Sequence, residues 1–236
     1  MNKLHSMRII VVIVLCCLSA TCVCQNPSVT EPKPPQKLQF GFGFCGFTYQ
    51  GDLNNTDENL HRIYPGLNIS LQFDSRRRVS PQINFGLGKF IAQNNEIQPI
   101  EGQLPNAFVA TNFYYFDLQL RVHFLKKKKI RPHLGFGLGM LNFTPRDEKG
   151  NELNLNQSTR ANSENQYSTS AFVTPLNIGL KISLNEVAGI GFDFNHYITN
   201  SDFLDNIGKL GTKNGNDALQ QLVFTFYLTP KIKGKQ

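Results

Sequence analysis

The residues of this 236-residue chain with potential for chemistry are five histidines, five cysteines and a sparse set of carboxylates. A histidine acting as general base needs a nucleophile within hydrogen-bond reach and a third group to orient it. His123 has Arg121 two positions before it, and His196 is followed by Ser201 in a polar stretch. Neither spacing holds a hydroxyl against an imidazole by local geometry, and no pair of carboxylates stands out. Lipid-modifying chemistry at His123 or His196 is therefore the lesser reading, and the chain is expected not to be an enzyme. No Cys, His, Asp or Glu set has metal-ligand spacing, so neither a metal nor another cofactor is expected. The stretch GFGFCG (Gly41–Gly46) has the glycines of a phosphate loop but opens no helix.

Four of the cysteines (Cys16, Cys17, Cys22, Cys24) lie in an N-terminal stretch with its own logic. Lys3 and Arg8 precede the apolar run Ile9–Ala20, and small residues follow. This is the pattern of a secretory signal peptide over 1–24, cut after Cys24. Lipidation of Cys22 or Cys24 is the competing outcome. Cleavage would leave Cys45 alone, so no internal disulfide is expected. Residues 25–37 (QNPSVTEPKPPQK) form a Pro-rich lead-in. The formal charge of +7 would suit a nucleic-acid partner, but an exported chain meets none.

From residue 38 the chain reads as strands. Eight segments alternate with period two: 38–50, 63–74, 79–92, 110–125, 130–144, 170–184, 187–199 and 218–229. One face of each is apolar, as in Phe40, Phe42 and Phe44, or Leu134, Phe136, Leu138 and Met140. The opposite face is small or polar, as in Gly41 and Gly43, Gly135, Gly137 and Gly139, or Asp117, Gln119, Arg121 and His123. Each segment reaches the roughly 9–11 residues that a strand needs to cross a bilayer. Connections alternate between short turns, near 75–78, 126–129 and 185–186, and long ones, near 51–62, 93–109, 145–169 and 200–217. That rhythm, with an even strand number, marks an outer-membrane barrel. The fold expected is an all-β, eight-stranded antiparallel up-and-down transmembrane barrel over 38–230, with both termini periplasmic and a basic tail at 231–236. Phe would face lipid and Gly a narrow lumen, with Arg121, Lys181, Asp117 and Asp193 in a polar network. A soluble ligand-holding barrel would instead turn its rows of glycine towards water, which has no rationale.

Charge segregates on this topology. The short turns and the tail carry ten basic residues, namely Arg76, Arg77, Arg78, Lys126, Lys127, Lys128, Lys129, Lys231, Lys233 and Lys235, against Asp74 and Glu186. The long connections are mostly acidic. A basic rim has two readings: a solvated edge against anionic lipid headgroups, or a docking surface for an acidic periplasmic partner.

Four stretches keep the order of a known family. They are GFCGFTYQGDL (43–53), RPHLGFGLGMLNFTP (131–145), TPLNIGLKISLNE (174–186) and GFDFNHYITNSDFLDNIG (191–208). They resemble a Bacteroidota family of eight-stranded outer-membrane barrels that includes PorG of the type IX secretion system. The resemblance implies partnership with a periplasmic ring of PorK/PorN-like components. The basic turns Arg76–Arg78 and Lys126–Lys129 are then the candidate partner-binding rim. A general structural barrel, or a surface-binding protein acting through its long loops, is the alternative. Eight strands leave room only for side chains, so the chain is not expected to be a translocation pore, and no small-molecule substrate is expected.

Overall fold

The computed structural model describes residues 38–53, 62–73, 78–94, 106–125, 129–153, 167–208 and 215–230. The expected signal peptide, lead-in and basic tail lie outside them. Eight strands run in chain order: β1 (Gln39–Gln50), β2 (Tyr64–Gln72), β3 (Val79–Gln93), β4 (Phe108–His123), β5 (Ile130–Arg146), β6 (Ser170–Ser183), β7 (Ala188–Thr199) and β8 (Ala218–Leu228). Each pairs antiparallel with the next, and β8 returns to β1 to close the barrel. Every bound falls within two residues of the sequence expectation. The period-two code suffices because a strand's pleat alone decides which face a residue takes.

Closure fixes the tilt. The register leads from Phe40 through Leu71, Ile83, Leu118 and Leu138, then by way of Ile198 and Ala218 to Gln50, ten residues along β1. A stagger of ten residues at about 3.3 Å each, around eight strands about 4.8 Å apart, tilts the strands by about 40°. The register pairs lapse only between Phe136↔Leu176 and Gly139↔Val173, beside Pro175, whose missing N–H cannot serve that ladder.

The outer face is an inverted core. Phe44 is 74% exposed and Leu138 72%, and most outward positions between the two ends are large and apolar. On β4 the apolar outward run extends from Tyr114 to Phe124. At the tilt above it stands about 25 Å tall, the height of an outer-membrane barrel's lipid band. A continuous exposed apolar belt of this size needs lipid as its solvent.

The lumen is packed, and its glycines are sockets for rings. Added Cβ atoms on Gly66 and Gly88 would run into Phe47, one on Gly86 into Tyr115 and one on Gly191 into Tyr227. The expectation of a wholly small-or-polar inner face is corrected here. The half towards the termini is polar. The half towards the long connections is apolar, with Phe47, Tyr49, Phe90, Phe113, Leu141, Phe143 and Leu219 all buried. Phe47 meets Phe113 edge-on at 4.8 Å and Tyr49 stacks on Phe90 at 4.4 Å. All of these but Leu219 share parity with the lumen glycines of their strands or pair with them in register, and Leu219 pairs with Tyr49. The signal was therefore present in the sequence, but lay beyond the glycine-rich stretches.

Candidate functional site

The short turns and both strand termini gather at one end. Backbone bonds close this rim tightly. His123 N donates to Arg78 O at 2.7 Å, Ser183 N to Lys129 O at 2.8 Å, and Thr229 N to Val187 O at 2.6 Å. The β6–β7 turn is fastened by Asn185, whose Oδ1 accepts from Val187 N and Ala188 N at 2.8 and 2.7 Å. Of the predicted rim residues, Arg78 and Lys129 are described, and both are exposed at this end. Arg76, Arg77, Lys126, Lys127 and Lys128 lie outside the described residues.

Behind the rim the lumen is lined by buried basic side chains. Arg121, from β4, approaches Asp193 of β7 at 3.4 Å and donates to the Tyr227 hydroxyl at 3.2 Å. His133 Nε2 lies 2.8 Å from the same carboxylate, and Asn177 donates to it at 3.2 Å. Lys181 bonds Gln39 and Gln72 across the barrel and lies 4.5 Å from the centre of the Tyr227 ring. His123 is 3.2 Å from Gln72 Nε2. Asp117 lies deeper, held by Asn84 at 2.7 Å and by the Tyr197 hydroxyl at 3.1 Å. The polar network expected around Arg121, Lys181, Asp117 and Asp193 is thus present. Arg121, Arg131 and Lys181 share their half of the lumen with Asp193, so the throat continues the basic character of the rim.

The histidines and serine considered for catalysis do not converge. His123 is buried in the throat. His196 alternates outward between the inward Asn195 and Tyr197 and pairs in register with Gln220. The Ser201 hydroxyl accepts from Phe203 N at 3.3 Å. Among the described residues no group of three or more His, Cys, Asp or Glu is placed to hold a metal.

The opposite mouth is capped from within the chain. After β7 the segment 200–208 turns over the barrel end and buries Leu204 and Ile207 completely beside Leu53. Two carboxylates pin it. Asp205 accepts from Leu53 N at 3.1 Å and Ile207 N at 2.9 Å. Asp217 accepts from the Tyr49 hydroxyl and from Leu204 N, both at 2.8 Å. Burial pushes the Asp205 carboxyl up to about 7, against the hydrogen bonds that favour its charged form. Asp217 is driven up in the same direction, by burial first and by the Asp205 charge second. Asp202 is raised to about 6 by burial and the charge of Asp52. Asn206, in the left-handed region at φ 68°, bonds Asn106 at 3.0 Å and Tyr167 at 2.5 Å, tying the cap to two other connections. The stretch 191–208 is legible in the sequence as a family-like segment, but its role as a cap is not, because its partners Leu53, Asn106 and Tyr167 come from three other connections.

Comparison with known proteins agrees with the architecture. The family described as "Outer membrane protein beta-barrel domain" matches residues 14–226. Among solved structures, Neisserial surface protein A aligns with a TM-score of 0.53 at 10% identity, over 84% of this chain and 100% of its own. The attachment invasion locus protein Ail of Yersinia pestis aligns at 0.49 and 9% identity, over 84% and 100%. OprG of Pseudomonas aeruginosa aligns at 0.42 and 9% identity, over 86% and 97%. At 10% identity the likeness to Neisserial surface protein A speaks for the fold alone. No curated protein matches the chain.

Proposed function

The chain belongs to the outer-membrane protein β-barrel domain family, and from that premise we propose that it is an anchoring or assembly component of a type IX secretion system. In this reading the short-turn end and both termini face the periplasm. The basic turns dock on an acidic surface of a periplasmic ring of PorK/PorN-like components. The observation that carries the reading is that Arg78 and Lys129, the described members of the two basic turns, lie exposed on one rim, with Arg121, Arg131 and Lys181 buried behind it. Like-signed charge on a rigid ring steers an oppositely charged partner and fixes its orientation. The packed lumen supports an anchor over a conduit, since Phe47, Phe113 and Tyr115 fill the space a cargo would need.

The test is mild detergent extraction of the outer membrane, followed by sizing and identification of co-migrating proteins. The reading expects a very large assembly containing periplasmic ring proteins. It also expects that assembly to be lost when Arg76–Arg78 and Lys126–Lys129 are replaced by Gln, with the barrel still heat-modifiable on gels. Migration as a lone barrel would sink the assignment.

A second reading has its own support. Strands β3, β4 and β5 run past the lipid band to Gln93, Phe108 and Arg146, and the cap packs on that extension. Such a rigid head suits a surface-binding role through the long connections. Replacing residues 145–169 would abolish function in that case, and neutralising Arg76–Arg78 and Lys126–Lys129 would not.

A further inference from the structure

We propose that the lipid-facing surface over β1, β8 and β7 holds one acyl chain of a membrane lipid, whose polar backbone is bound by Thr48, Gln220 and His196. The proposal rests on the membrane barrel itself and is independent of ring docking.

On β1 the outward row reads Phe40, Phe42, Phe44, then Gly46 and Thr48. At Gly46 the side chain vanishes while its neighbours stay large. Leu222 is its register partner on β8, and Phe194 is the register partner of Leu222 on β7. Ile63 leans over the gap, close enough that a Cβ on Gly46 would overlap its Cγ2. The result is a groove of about 240 Å³ lined by Gly46, Thr48, Ile63, Phe194, Gln220 and Leu222, with Gln221 behind. It is below the roughly 300–1,000 Å³ of sites for compact small molecules, and its floor is apolar.

The lip differs in chemistry. One row nearer the long connections, Thr48 pairs with Gln220, and Gln220 pairs with His196. Three polar side chains thus stand side by side on adjacent strands, about 4.8 Å apart. A hydroxyl, a carboxamide and an imidazole offer both donors and acceptors. This set suits ester carbonyls, hydroxyls and phosphate oxygens. On other strands the row beneath the polar boundary is filled, by Leu87 under Lys89, Tyr114 beside Asn112 and Met140 under Asn142. There the polar groups also satisfy one another, as Ser170 Oγ does with Asn142 Oδ1 at 2.5 Å.

The occupant follows from position. The groove is continuous with the exposed apolar belt, where the solvent is hydrocarbon, and its polar lip lies on its long-connection side, with Ile198 of β7 beyond it. A lipid of the leaflet at the long-connection end meets both conditions with one molecule, its chain on the floor and its backbone at the lip. With the short turns in the periplasm, that leaflet is the outer one.

Native mass spectrometry of the full protein extracted from its own outer membrane tests this. The wild type should retain one lipid. Gly46→Leu, which fills the groove, and the double variant Thr48→Val/Gln220→Leu, which removes the lip, should each lower its occupancy at least fivefold while the barrel stays heat-modifiable. If Gly46→Leu fails to insert, the lip variant still decides, because it leaves the floor untouched. Unchanged occupancy in the lip variant would overturn the proposal and make any bound lipid non-specific. Loss in these variants of a second copy or another protein, with lipid unaffected, would overturn it in favour of a protein occupant.

Discussion

The cap over the long-connection mouth should loosen as pH rises. Asp205 and Asp217 are buried together beneath Leu204 and Ile207, with Asp52 and Asp202 nearby, and they face the Tyr49 hydroxyl and the amides of Leu53, Leu204 and Ile207. Hydrogen bonds from those donors favour the charged carboxylates. Burial opposes them and wins, with the Asp52 charge adding to it at Asp205, which is held at about 7, and the Asp205 charge adding to it at Asp217, which is raised as well. A carboxyl raised above its unfolded value stabilises the closed state fully at pH below about 4. That stability is lost as pH climbs through about 7. A displacement of about three pH units corresponds to about 4 kcal/mol at most, and the pair shares it because the two titrate together. In rate terms, closed-state protection should fall by about 10²–10³-fold between pH 4.5 and 9. Hydrogen exchange of the Leu53, Leu204 and Ile207 amides, corrected for intrinsic rate, reads this directly. In Asp205→Asn/Asp217→Asn, protection should hardly vary with pH. Protection that is flat with pH in the wild type, or an identical slope in the double variant, would refute the reasoning.

Three further outcomes are expected. Asp193→Ala leaves Arg121 and His133 without their shared carboxylate at 3.4 and 2.8 Å. Urea unfolding in lipid vesicles should register a loss of about 3–5 kcal/mol, while Arg121→Met/Asp193→Leu should lose clearly less. In Gly88→Ala the new Cβ would fall 2.6 Å from Phe47 Cε2 and 2.9 Å from Phe113 Cζ. The same assay should show about 1–3 kcal/mol of overpacking, partly recovered by adding Phe47→Leu. Leu138→Arg puts a charge on the outward face within the lipid band and should cost about 2–4 kcal/mol of insertion stability. No effect at Leu138 would contradict the inside-out assignment of faces.

What sequence alone determined here is local. Each strand carries its face assignment in its own pleat, because lipid accepts only apolar side chains and the narrow lumen accepts what fits. Phe40, Phe42 and Phe44 against Gly41 and Gly43 therefore announce a lipid-facing strand without reference to any other. The strand bounds, the alternation of short and long connections and the basic turns follow from the same short-range reading. The contents of the lumen are long-range. Arg121 of β4 meets Asp193 of β7 only because the sheet curls shut across the lumen, and Phe47 fits over Gly66 and Gly88 only through the register of β1 on β2 and of β2 on β3. The cap joins Leu204 and Asp217 of one connection to Leu53, Asn106 and Tyr167 of three others, and the groove at Gly46 joins residues from both ends of the chain. No single segment encodes these contacts, since each depends on how separate strands and connections come to lie beside one another.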